Sequence, residues 1–117
     1  MATISPNTDG PISTAQVVNW TGISTGDTIN SYAIPDEYGA IGCVQVTGTF
    51  GGATITLQVS NDGTTWFNLT DLQGAGISAT ANTFADFTTA AIYIRPAITG
   101  GSSDSVNVRL AFRGWRG

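Results

Sequence analysis

Few residues in this chain could take part in covalent or metal chemistry. Its 117 residues include no histidine and no lysine, one cysteine, four arginines and eight carboxylates. Serine and threonine hydroxyls are plentiful, but a hydroxyl nucleophile needs a base to take its proton, and neither an imidazole nor a lysine amine exists to do so. A zinc site needs Cys and His in numbers, which this composition excludes. Cys43 stands among Ile41, Val44 and Val46. That setting suits a small apolar residue, and no imidazole is present to generate a thiolate. Asp62 and Asp71 flank one hairpin and would be the pair for acid–base work, but their turn and loop positions assign them to backbone capping. Asp36, Glu37 and Asp104 lack the spacing of a calcium loop. Gly51-Gly52 and Gly100-Gly101 each lead into a strand pattern, whereas an anion-binding glycine loop opens a helix. The expectation is a protein that is not an enzyme and carries no cofactor and no metal.

Charge narrows the partners. A formal net charge of -4 with only Arg95, Arg109, Arg113 and Arg116 as cationic side chains makes a poor counterion-releasing surface, so nucleic acid is not expected. The apolar runs fall far short of the roughly 20 residues of a membrane span, so no membrane is expected either. Met1-Ala-Thr-Ile-Ser-Pro has neither the basic nor the apolar region of a secretion signal, and synthesis and retention in the cytoplasm are expected. Cys43, being single, cannot form a disulfide within the chain.

The elements that must carry these residues are strands. From Gly51 to Leu72 the pattern is that of a β-hairpin: Ile55, Leu57 and Val59 alternate with Thr54, Thr56, Gln58 and Ser60. Asn61-Asp62-Gly63 supplies the turn, and the chain returns through Trp66, Phe67 and Leu69. Trp66 is expected to fill the space between two sheets. Ser105 to Arg113 is the cleanest strand, with Val106, Val108, Leu110 and Phe112 inward. In Ala91 to Thr99, Ile92 and Ile94 share a face, and Pro96 requires an edge or a bulge. Ala40 to Thr49 is apolar on both faces, which predicts a central strand or a bulge near Gly42. Further strands are expected over 15–20, 28–34, 77–80 and 83–88. The predicted core is Ile55, Leu57, Val59, Trp66, Ile92, Ile94, Val106, Val108 and Leu110.

Residues 1–14, with Pro6, Pro11 and Asp9-Gly10, are expected to form an extended N-terminal arm, anchored through Ile4 and Ile12. Residues 15–117 form a single domain of a size that buries roughly 65–70% of the unfolded chain's surface. Eight or nine short strands with glycine-rich turns and no helical periodicity predict an all-β antiparallel sandwich, jelly-roll-like in architecture.

The segment Gly51 to Trp66, followed by Leu69-Thr70-Asp71, resembles a recurrent signature of small structural proteins of tailed bacteriophages. Tyr93-Ile94-Arg95-Pro96-Ala97-Ile98-Thr99-Gly100-Gly101 is similar to a strand of the same set, where Tyr-(Ile/Val)-Arg-Pro precedes a glycine-rich turn. The likeness covers about half the chain. It implies a virion protein, and specifically a head decoration (cement) protein that binds the major capsid protein at the capsid surface and self-associates, a trimer being common in that class. Ser-Asn-Asp-Gly-x-x-Trp also resembles a structural hairpin of discoidin-like sugar-binding sandwiches. On this reading Ile4, Pro6 and Ile12 of the arm, with Trp115 and Arg116 of the tail, are the expected partner interface. Two rivals are a tail-fibre or baseplate module that binds glycans, with Trp20, Tyr32 and Tyr38 as its aromatic platform, and a minor head-assembly component.

Overall fold

The computed structural model describes residues 2–12, 15–34 and 41–113; for residues 9–12, 15 and 113 it describes the backbone alone. Inward apolar side chains two apart need a pleated chain, and the described residues contain strands and no helix. The strands are β1 (Thr3–Ile4), β2 (Asn7–Ile12), β3 (Ala15–Ile23), β4 (Thr28–Ile29), β5 (Tyr32–Ala33), β6 (Ile41–Thr49), β7 (Thr54–Ser60), β8 (Phe67–Asn68), β9 (Ser78–Ala79), β10 (Thr83–Thr88), β11 (Tyr93–Thr99) and β12 (Ser105–Arg113). One five-stranded sheet has the order β10-β6-β12-β3-β2; the second has the order β5-β11-β7-β8, with β9 also on β7. β1 pairs with β4 in parallel; the pairs within the two sheets are antiparallel.

The strand with the cleanest alternation is the axis of the larger sheet. β12 pairs along its length with both β3 and β6, and Val106, Val108, Leu110 and Phe112 are fully buried. They meet Ile55 and Leu57 of β7 and Ile94 and Ile98 of β11 in one core, closing a two-layer sandwich. Tyr32 of the smaller sheet stacks on Phe112 at 6.3 Å between ring centroids, and Phe87 meets Phe112 edge-on at 5.9 Å.

The core indole is Trp20, not Trp66. Trp20 is fully buried, and its Nε1 donates to the Asn30 carbonyl at 2.8 Å. Trp66 is half-buried on the outer face, with the Arg95 guanidinium 4.0 Å over its ring. The cause is hairpin register. Val59 pairs with Phe67 and Gln58 with Asn68, so residue 66 falls in phase with outward Gln58 rather than inward Leu57. Val59 is half-buried against the core, while Ile92 is 49% exposed because it precedes β11 and overhangs the strand's end.

Two further expectations change, and the expectation that β6 is central holds. Residues 3–12 are extended, as the arm was, but β2 is a strand of the larger sheet, paired with β3, and β1 pairs with β4. The expected strand over 28–34 is divided at Asn30-Ser31, and these changes bring the strands to twelve. β6 is interior, yet its register is unbroken at Gly42; the irregularity lies in β12 against β3, between Val106 and Val108. Gly42 is glycine because a Cβ there would stand 2.9 Å from Phe87 Cζ. Pro96 sits where β5, which reaches only Tyr93 and Ile94, no longer flanks β11.

Truncating Trp20 to Ala is expected to cost about 3–5 kcal/mol, and truncating Trp66 about 1–2 kcal/mol, measured by urea unfolding. Equal costs would contradict this placement of the two indoles.

Candidate functional site

The carboxylates that might have served chemistry are engaged in holding turns. Ser60, buried at the end of β7, accepts from the backbone N–H of Asp62 (3.2 Å) and Gly63 (2.9 Å) and donates its hydroxyl to Asp62 Oδ1 at 2.8 Å. The same Oδ1 accepts from the N–H of Thr64 (2.9 Å) and Thr65 (2.8 Å). The Thr65 and Thr64 amides, then the Ser60 hydroxyl, hold the Asp62 carboxyl well below the usual carboxylate range. Asp71 Oδ1 accepts from the N–H of Gln73 (2.9 Å) and Ala75 (3.0 Å), so both hairpin acids are caps, as their positions predict.

A second cluster ties three loops together. Asp104 is buried and accepts from Thr25 Oγ1 at 2.7 Å and Thr25 N at 3.1 Å. Those bonds, the hydroxyl first, lower its pKa. Asp27 accepts from the N–H of Ala2 and Ser24, which lower its pKa in that order. The two Gly-Gly loops meet here, the Ser102 N–H donating to the Gly51 carbonyl at 3.1 Å. Gly51 has φ +54, and a Cβ there would run into the Ser102 carbonyl oxygen, so glycine serves close backbone approach rather than an anion. Among the described residues no three Asp, Glu, Cys or His side chains gather as a metal site; Asp36 and Glu37 lie outside them.

The open surface is partly polar, as in a hollow of about 570 Å³ lined by Asn7, Thr8, Thr21, Gln45, Thr47 and Asn107, and partly apolar. Among the described residues Phe67 (65% exposed), Phe84, Leu72, Ile41 and Ile92 are the large hydrophobics that face solvent. Phe67 with Val59 and Ala91 lines an open hollow of about 410 Å³ beside the Ser60–Thr65 turn. Leu72 and Phe84 line a smaller groove of about 190 Å³, flanked by Asp71 and Asp86. A margin with several large exposed apolar side chains suits a surface that another macromolecule covers.

The expected interface residues are distributed differently. Ile4 of β1 is half-buried against the core and Pro6 is half-buried. Ile12 pairs with Ala15 in β2, its side chain outside the description, and Trp115 and Arg116 lie outside the described residues. Of the aromatic platform, Trp20 is core, Tyr32 is stacked on Phe112, and Tyr38 lies outside the described residues. The aromatic platform is therefore not formed, because Trp20 is fully buried. Sequence reasoning missed Phe67, Leu72 and Phe84 as surface residues. The available signal was Phe84 falling in phase with Asp86, an aromatic on a polar face.

No family model and no curated protein matches this sequence. Among solved structures the chain is similar to the SPBc2 prophage-derived protein YomS, with a TM-score of 0.59 and 11% identity over 89% of this chain and 99% of that one. The two share a fold over nearly their whole lengths. Fainter likenesses are to a chain from the disulfide-linked pili of Bacillus endospore appendages (TM-score 0.45, 14% identity, 96% of this chain and 91% of that one) and to an adhesin domain of Lys-gingipain from Porphyromonas gingivalis (0.43, 9%, 97% and 85%).

The turn chemistry sets the response to acid. Asp27, Asp62 and Asp104 all have folded pKa values below their unfolded ones. The stability they contribute is complete above the ordinary carboxylate pKa of about 4 and is lost as pH falls below it. With no histidine in the chain, the urea midpoint is expected to be level from about pH 5 to 7 and to fall below about pH 4. Asp62→Ala should lower the midpoint at pH 7, and its gap from the parent should narrow on acidification. A gap independent of pH would contradict the assigned role.

Proposed function

We propose that this chain is a structural adhesion protein of a bacteriophage particle, and specifically a head decoration protein that binds and stabilises the shell of the major capsid protein. The observation that carries the adhesive part is two exposed apolar spots, Phe67 at one hollow and Leu72 with Phe84 at another, on a body whose turn carboxylates are used to hold its own loops. The phage part is supported by the fold held in common with a prophage-derived protein and by the hairpin signature from Gly51 to Asp71. The reading involves no catalysis, cofactor, nucleic acid or membrane. Its site of action is the particle surface.

A rigid sandwich with a sticky margin is what a shell cement requires. Docking through a standard interface would bury about 1,200–2,000 Å², and large apolar anchors set in hollows carry most of such binding. Phe67, beside its own hollow, is the foremost anchor on this reading. The N-terminal residues are a poor place to test it, because removing β2 would strip an edge strand from the larger sheet.

The test is copy number, with a point substitution as control. Purified particles should carry the chain in hundreds of copies, as estimated from a stained gel. Phe67→Asp should reduce capsid occupancy at least about tenfold, a loss of about 1.4 kcal/mol, with the unfolding midpoint unchanged. A few copies per particle would favour the head-assembly role, and binding on a glycan array would favour the tail-fibre role. Either result, or occupancy indifferent to Phe67, overturns the proposal.

A further inference from the structure

Alternate residues of β7 and β11 build the outer face of the smaller sheet. Arg95 stands opposite Gln58, and Tyr93 opposite Ser60. Tyr93, Arg95, Gln58 and Trp66 are all half-buried. The bonds of Ser60 and Asp62 to the turn amides fix the approach to Trp66. Gly63 of that turn lies against the Tyr93 ring, where an added Cβ would stand 3.7 Å from Tyr93 Cε2. Arg95 itself is held twice. Its guanidinium carbon is 4.0 Å from the centroid of the Trp66 ring, and its Nε donates to Gln58 Oε1 at 3.2 Å.

What Arg95 lacks is a counter-ion. Among the described residues no hydrogen bond or ion pair engages its Nη groups. Arg109, by contrast, donates from Nη1 to Asn19 Oδ1 at 2.9 Å. Partial burial pushes the Arg95 pKa below its ordinary value, the mark of a cation short of solvent and not relieved by a carboxylate. A guanidinium stays charged all the same. Asp27 lines an adjoining hollow of about 230 Å³ with Arg95, but its two oxygens accept from the Ala2 and Ser24 amides.

We infer that Arg95 is a docking point for a single carboxylate, an aspartate or glutamate side chain of a partner protein, received by the two Nη groups beside the Trp66 and Tyr93 rings. With Nε given to Gln58, the fork that remains is the Nη1–Nη2 pair, whose spacing fits the two oxygens of one carboxylate. The stack and the Gln58 bond hold the guanidinium flat before a partner arrives, so little side-chain freedom is left to lose. One cation suits one negative charge. A phosphate dianion would call for a second cation, and the Asp27 carboxylate of the adjoining hollow repels the extra charge. Trp, Tyr and Arg are also the residue types enriched at the energetic centres of protein interfaces. The site is separate from the Phe67 anchor: Phe67 pairs with Val59, in the opposite phase of the hairpin from Trp66 and Gln58.

The test is an NMR titration of the full nitrogen-labelled chain, at constant ionic strength, with N-acetylglutamate amide and its neutral analogue N-acetylglutamine amide. The first should shift the Arg95 Nε–H and Trp66 Nε1–H resonances saturably, with Kd of roughly 10 mM, and the second should not. The Arg109 Nε–H should respond at least about tenfold more weakly. Arg95→Lys keeps the charge but loses the fork, so binding read at Trp66 should weaken at least about tenfold. Trp66→Leu should also weaken it, with the amide spectrum showing a folded chain. Inorganic phosphate should bind no more tightly than the glutamate derivative. Equal responses at Arg95 and Arg109, equal binding of the neutral analogue, tighter binding of phosphate, or affinity indifferent to Arg95→Lys and Trp66→Leu overturns the inference. Capsid occupancy is a separate measurement, so this failure and that of the proposed function are distinguishable.

Discussion

Three segments of the chain are held together at Asn30. Its carbonyl accepts the Trp20 indole N–H, its own N–H donates to the Ile4 carbonyl at 2.9 Å, and its side-chain amide donates to Ser5 Oγ at 3.0 Å. The first of these is the constraint on which the rest depends. A fully buried indole N–H left without an acceptor would cost about 1–3 kcal/mol, so the largest side chain of the core can sit where it does only if this carbonyl faces it. Asn30 is also where the chain leaves β4 and turns toward β5 in the second sheet. The Asn30 backbone thus joins the buried indole to the N-terminal strand.

With the interior closed in this way, the polar side chains are directed to the loops. Asp27, Asp62, Asp71 and Asp104 each accept from at least two backbone or hydroxyl donors, and Asn61 accepts from the Ile92 N–H. Carboxylates consumed by turns make loops rigid and leave little for ligand chemistry. No buried side-chain nitrogen or oxygen among the described residues lacks a hydrogen bond. Among the described residues the large hydrophobics left in solvent are Ile41, Phe67, Leu72, Phe84 and Ile92.

Much of this was legible residue by residue. The alternation of Val106, Val108, Leu110 and Phe112 named the buried face of β12 correctly, as did Ile55 and Leu57 for β7. Asp62 and Asp71 sat where turn chemistry wants an acceptor. The legible part stops where phase must be carried across a loop. Thr64 and Thr65 lie between the turn and the returning strand, and one residue more or less there would exchange the faces of Trp66 and Phe67. Residues 3–12 were illegible for another reason: proline and glycine lower strand propensity, and it is pairing with β3 and β4 that makes them strands.

The sequence by itself determined the class of the fold and most of the inward-facing positions it named, because period-two alternation and turn chemistry are local and need no partner to be read. Only the tertiary structure decided which of two indoles enters the core, that residues 7–12 pair into the larger sheet, and that β10 ends that sheet among the described residues. Each of these depends on which distant strands lie side by side. Sheet order is set by the joint burial of many faces at once, and no single stretch of chain contains it.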